Sequence, residues 1–169
     1  MLKSLGMLAV PLLALAAPAQ AVVLGPDASA CSPGSNEAAA LVRVDGFRRH
    51  TGNLRVQVYG ANPAEFLEKG KWVKRVDLPV SAAGPMEICV ALPRPGNYAI
   101  AVRHDMDGNG RSGWNDGGGF SRNPRISLAS LKPDHARVVL AFGAAPRPVA
   151  VVLNYRQGLS IGPIRQASR

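Results

Sequence analysis

Apolar and polar residues alternate along Leu41-Val42-Arg43-Val44, Leu54-Arg55-Val56-Gln57-Val58-Tyr59 and Tyr98-Ala99-Ile100-Ala101-Val102. A period of two places every second side chain on one face, as in a strand with one buried side. Four further candidates are Val73 to Val80, Met86 to Leu92, Arg137 to Phe142 and Val149 to Tyr155, each bounded by Gly, Pro, Asn or Asp. Short strands at this spacing predict an all-β fold, an antiparallel β-sandwich of about seven strands, immunoglobulin-like or transthyretin-like. One short helix is predicted from Pro63 to Lys69, with Asn62 capping its free amides, Pro63 at the first helical position and Phe66 and Leu67 anchoring it. Pro93-Arg94-Pro95-Gly96-Asn97 reads as a turn that launches the strand ending at His104.

The ends of the chain lack this alternation. Lys3, the short apolar run Leu5 to Ala17 and the small-residue site Ala19-Gln20-Ala21 have the order of an export signal. The predicted organisation is a signal peptide over 1–21, a flexible N-terminal tail over 22–39, the sandwich over 40–157 and a C-terminal tail over 158–169. No segment approaches the roughly 20 apolar residues of a membrane-spanning helix. An exported, periplasmic or extracellular, protein that does not span the membrane is therefore expected.

Export changes the meaning of the two cysteines. An oxidising compartment favours pairing of Cys31 with Cys89, which would tether the N-terminal tail to a core strand. Two unpaired thiols are the alternative. A lipid anchor on Cys31 is disfavoured because Pro26 and Asp27 separate it from the apolar run and Ala28 stands where a leucine is usual.

The formal net charge is +9. Export argues against nucleic acid as the partner. Arg48-Arg49-His50 and the group Lys69, Lys71, Lys74 and Arg75 could instead face an anionic envelope polymer, a phospholipid surface or another envelope protein, or could simply be solvated.

The chemistry is concentrated in Asp105-Met106-Asp107-Gly108-Asn109-Gly110-Arg111-Ser112-Gly113-Trp114-Asn115-Asp116. Counted from Asp105, oxygen-bearing side chains fall at the first, third, fifth and twelfth positions, and Gly110 stands at the sixth. That is the spacing of a calcium loop. The candidate ligands are Asp105, Asp107, Asn109, the carbonyl of Arg111, and Asp116. Hard oxygen donors favour calcium over zinc or copper. An aspartate closing the loop, the basic surroundings and the lack of a preceding helix point to weak affinity. The competing reading is that Asp and Asn only make local turns with their own backbone.

Two other motif matches fail on context. Gly108-Asn109-Gly110-Arg111-Ser112-Gly113 has the dinucleotide-binding spacing, but Trp114-Asn115-Asp116-Gly117-Gly118-Gly119 cannot propagate the helix a phosphate site requires. Gly158-Leu159-Ser160-Ile161-Gly162 resembles a nucleophile elbow, yet no Asp, Glu or His follows the serine. His50, His104 and His135 lack the company of a zinc site. His104 borders the acidic loop, and Trp114 and Phe120 could join it in a ligand-facing surface.

The run Pro95 to Gly110 followed by Gly119-Phe120-Ser121-Arg122-Asn123 resembles the bacterial exported proteins grouped as domain-of-unknown-function family 2141. Leu54 to Tyr59 and Phe66-Leu67 extend the likeness to roughly residues 40–155. The resemblance implies a secreted all-β domain without an established activity. It also implies an aspartate near Gly113, which this chain lacks, so one oxygen ligand would be missing.

Together these readings lead to an exported, non-enzymatic sandwich module with calcium as a candidate cofactor. The alternatives are a metal-free structural or adhesive envelope protein and an envelope glycan hydrolase using loop carboxylates.

Overall fold

The alternating segments form strands whose inward positions meet across two sheets. A computed structural model describes residues 22–164. The signal-peptide reading of 1–21 and the last five residues lie outside that range.

The strands are β1 (Val23–Leu24), β2 (Ala39–Asp45), β3 (Asn53–Tyr59), β4 (Lys74–Pro79), β5 (Met86–Ala91) and β6 (Gly96–Asp105). They are followed by β7 (Gly117–Phe120), β8 (Val139–Phe142), β9 (Arg147–Val152), β10 (Asn154–Gln157) and β11 (Ser160–Pro163). One sheet has four strands in the order β1-β5-β2-β9. The other has seven, in the order β11-β10-β7-β6-β3-β4, with β8 also on β6. Pairing is antiparallel except for β1 with β5 and β2 with β9. Val42, Val44, Val56, Ile88, Ile100 and Val151, each at most 1% exposed, fill the space between the sheets. Burying such side chains contributes roughly 1.5–3 kcal/mol apiece.

The sandwich has four more strands than the alternation predicts. Strand β7 was hidden by Gly117-Gly118-Gly119, which carries no hydrophobic signal. Close packing explains that glycine run: a Cβ on Gly117 would enter the Tyr155 ring, and one on Gly119 would lie 2.6 Å from Val151 and 2.7 Å from the Val152 carbonyl oxygen. Strands β1 and β11 fall in the segments the sequence marks as tails, and β10 splits from β9 at Leu153. The predicted helix shrinks to a 3-10 turn, Pro63–Glu65, capped by Asn62, whose side-chain oxygen accepts the Ala64 amide at 3.1 Å. Phe66 is already extended and Leu67 has φ of 64°, so the chain reverses before a second turn can form. Phe66 nevertheless anchors a second, smaller core with Tyr59, Ala99, Ala101, Phe120 and Val138 on the opposite face of the larger sheet.

Strand β6 organises the larger sheet. Along one edge its first half pairs with β8 and its second half with β7, while β3 covers the other edge. Ser121, fully buried, bridges the change of partner: its amide donates to the Ile100 carbonyl (3.0 Å), its Oγ accepts the Ile100 amide (3.0 Å), and its hydroxyl donates to the Val138 carbonyl (2.5 Å). Backbone groups that would be orphaned at the junction are thereby satisfied. Arg122 and Asn123 then take positive φ values, 63° and 45°, which turn the chain towards the second sheet. The Asn123 amide group donates to the Ala150 carbonyl (3.1 Å) and accepts the Val152 amide (2.8 Å). One side chain thus substitutes for a neighbouring strand on β9, the terminal strand of the smaller sheet.

Cys31 and Cys89 form a disulfide, with Cα atoms 5.8 Å apart. It pins a 3-10 turn, Ala28–Cys31, to the outer face of β5 beside Ala30 and Ala39. Asp27 adds to the attachment by accepting the Ala91 amide at 3.0 Å and pairing with Lys74. No helix among the described residues is long and apolar enough to cross a membrane.

Candidate metal centre and its buried support

The acidic loop starts where β6 ends, so the sheet fixes its first residue. Asp105 is the last residue of β6 and only 3% exposed. Its Oδ2 accepts the Gly110 amide at 2.8 Å and meets Arg103 Nη2 at 3.3 Å. Its Oδ1 is buried and has no hydrogen-bond partner. Leaving such an oxygen unsatisfied costs about 1–3 kcal/mol, more for a charged group.

The other end of the loop is fixed in the same way. Asp116, immediately before β7, accepts the Met106 amide on Oδ1 (3.1 Å) and the Gly113 amide on Oδ2 (2.9 Å). Asp107 and Asn109 form a turn between these ends: Asp107 accepts the Asn109 amide (3.2 Å), and Asn109 Oδ1 accepts the Arg111 amide (2.7 Å). Asn109 Nδ2 also donates to Asp107 at 2.6 Å.

One carboxylate oxygen from each of Asp105, Asp107 and Asp116 lies within 4.8 Å of the others. Unit charges at that spacing repel by about 3 kcal/mol at an effective dielectric of about 20, less where solvent screens exposed Asp107. A divalent cation among them would reverse that repulsion. Of the five residues predicted as ligands, the fold gathers these three. Asn109 spends its side-chain oxygen on the turn, and Arg111 supplies its amide there.

Beneath the loop is a polar group buried in the sandwich. His104 is fully buried, with Nε2 2.8 Å from the Thr51 carbonyl and Nδ1 2.6 Å from the Tyr155 hydroxyl. A carbonyl only accepts, so Nε2 carries the proton and Nδ1 accepts from tyrosine. Tyr155 in turn accepts the Arg48 amide at 3.2 Å, and the Arg48 guanidinium lies 4.8 Å from its ring centroid. Both nitrogens of His104 are engaged, leaving neither for a ligand. Burial holds its pKa below the ordinary imidazole value, although the Thr51 carbonyl and the charge of Asp116 oppose the shift. Burial likewise raises the Tyr155 phenol to about 12.

The lowered imidazole pKa has a definite sign for stability. Below about pH 6.5 the unfolded chain takes up a proton that native His104 resists. Its contribution is complete above that pH and declines as pH falls towards the depressed native value. Unfolding free energies from urea titrations between pH 8 and pH 5 should decrease below about pH 6.5, by up to about 1.4 kcal/mol per pH unit. A His104 proton resonance that titrates at or above the ordinary value would contradict this assignment.

Trp114 and Phe120 take different positions. Trp114 is 74% exposed, with the Arg156 guanidinium stacked 3.6 Å from its ring centroid. Phe120 is largely buried and packs edge-on against Phe66. Both line a cleft outside the sandwich core. The basic clusters are partly engaged elsewhere: Arg48 with Tyr155, Lys74 with Asp27, and Arg75 with Asp77 and Trp72.

Thr51, Tyr155, Ser121 and Asn123 were not assigned roles from sequence. Only Ser121 and Asn123 carried a signal, through the Gly-Phe-Ser-x-Asn segment, whose hydrogen-bonding partners are distant in the chain.

No curated protein and no solved structure matches the chain. The family model described as "uncharacterized protein conserved in bacteria (DUF2141)" matches residues 42–149, a span containing the central strand β6, the acidic loop, Ser121 and Asn123. The chain belongs to that family.

Proposed function

We propose that this protein is an exported, non-enzymatic β-sandwich module whose loop from Asp105 to Asp116 takes up calcium. The observation that carries the reading is the buried, unpartnered Oδ1 of Asp105 in a carboxylate whose neighbours are Asp107 and Asp116. Local turn formation accounts for the hydrogen bonds of Asp107 and Asn109, but it does not account for an aspartate fixed by a sheet with one oxygen left without a donor. A hard cation satisfies that oxygen and relieves the mutual repulsion of the three groups.

Export is supported by the disulfide and by the signal-like order of residues 1–21. An anionic envelope polymer or another envelope protein suits the +9 charge. Three carboxylates, the Arg103 contact and the missing aspartate near Gly113 argue for weak affinity of the extracellular class, with Kd of about 10⁻⁴ to 10⁻³ M.

Isothermal titration with calcium should give a saturable, single-site heat in that range. At about 100 times Kd the native state should gain about 2.7 kcal/mol. Asp107→Asn, a change at an exposed position, should reduce affinity at least tenfold while leaving the metal-free fold intact. Absence of both heat and a melting-temperature rise would remove the metal and favour a structural or adhesive domain. Turnover of an envelope glycan that is abolished by Asp116→Asn would replace the non-enzymatic reading with a hydrolase.

A further inference from the structure

We infer that the cleft on the outer face of β7, β10 and β11 is a binding site for an anionic amphiphile, an acyl chain ending in a carboxylate. The strand register builds it. Arg103, Gly118 and Asn154 are aligned across β6, β7 and β10, while Arg156 is paired with Ile161 across β10 and β11. Side chains two apart on a strand share a face, so Arg103, Phe120, Asn154 and Arg156 lie on the side opposite the Tyr155 core contact. The loop carrying Ser112 and Trp114 forms one wall, and a segment carrying Ile126, Leu128 and Leu131 forms the other.

The open cleft has a volume of about 410 Å³, within the range of small-molecule sites. Three of the six large hydrophobic side chains exposed among the described residues, Trp114, Leu128 and Leu131, line this cleft. Such clustering differs from the isolated exposed hydrophobics that ordinary surfaces carry. Gly118, aligned with Arg103 and Asn154, adds no side chain to the floor between these walls.

Charge selects the head group. Two guanidinium side chains, Arg103 and Arg156, line the cleft with a single acid, Asp116, whose two oxygens already accept loop amides. Arg103 is held by Asp105 and Ser112, whereas Arg156 lies over the Trp114 ring with its Nε on the Gly158 carbonyl, so Arg156 is the cation that meets the head group. A carboxylate can accept from such a donor while its chain covers Leu128 and Leu131. A neutral chain of equal length gains only the apolar contact, and a cationic one is repelled.

The test is titration of the full protein with decanoate and with decanol, in chelator so that calcium plays no part and the outcome is independent of the metal site. Saturable binding of one decanoate per chain is expected, at least tenfold tighter than decanol. Leu131→Glu, at an exposed position, and Arg156→Gln should each weaken decanoate at least tenfold, and only Arg156→Gln should narrow the difference between decanoate and decanol. Equal affinity for the two probes, no binding of decanoate, or undiminished binding by Leu131→Glu would overturn the proposal.

Discussion

Gly52→Ala should destabilise the protein by at least about 3 kcal/mol and abolish the calcium response proposed for the acidic loop. Gly52 has φ of 73°, where an L side chain costs about 1–2 kcal/mol. The larger effect is steric: an added Cβ would overlap the Asp105 carbonyl oxygen and lie 2.7 Å from that of Met106. Backbone cannot swing aside as a flexible side chain can. Thr51 is held by His104 and binds Met106 through its hydroxyl at 3.1 Å, and Val80 donates to the Gly52 carbonyl at 3.0 Å. The displaced segment would therefore be the entrance to the acidic loop. Urea unfolding read alongside calcium titration checks both consequences; a midpoint matching the unaltered protein would show that the turn does not hold the loop as described.

Replacing Cys31 and Cys89 together with serine should cost about 2–5 kcal/mol. The bridge closes a separation of 58 residues, for which the chain-entropy argument gives roughly 4 kcal/mol. Cys89 is fully buried on the outer face of β5, so serine also leaves a hydroxyl among Ala30, Ala39 and Ala91. Strand β1 has only two residues and depends on this attachment, aided by the contacts of Asp27. Hydrogen exchange should show residues 23–31 losing protection, while β3 and β6 retain theirs. Uniform loss across both sheets would mean that the bridge supports the entire sandwich.

The fold was legible wherever burial is written as alternation. Segments now seen as β2, β3, β5 and β6 carry large apolar residues at every second position, and their inward faces form the core. Strand β7 was illegible because its role is to make room: Gly117 yields to the Tyr155 ring and Gly119 to β9. The same limit applies to polar chemistry. The loop spacing singles out Asp105, Asp107 and Asp116, whose carboxylates the fold gathers, because they lie within one short loop. The His104, Thr51 and Tyr155 cluster joins residues from three distant segments, which local patterning does not connect. The missing second turn after Pro63 follows from the reversal at Leu67, a conformation its residue type does not announce. The cleft was only half visible, since Trp114 and Phe120 stood beside the loop while Arg156, Leu131 and Ile161 come from elsewhere.

Terbium luminescence sensitised by Trp114 is the most direct measurement of a cation among the loop carboxylates, because this tryptophan lies two residues from Asp116. The unaltered protein should sensitise bound terbium, and millimolar calcium should compete it away. Asp107→Asn should weaken the signal at least tenfold, and Trp114→Phe should lose the emission while retaining the calorimetric response to calcium. No sensitised emission from the unaltered protein, or emission unaffected by both calcium and Asp107→Asn, would contradict calcium binding at the Asp105, Asp107 and Asp116 site.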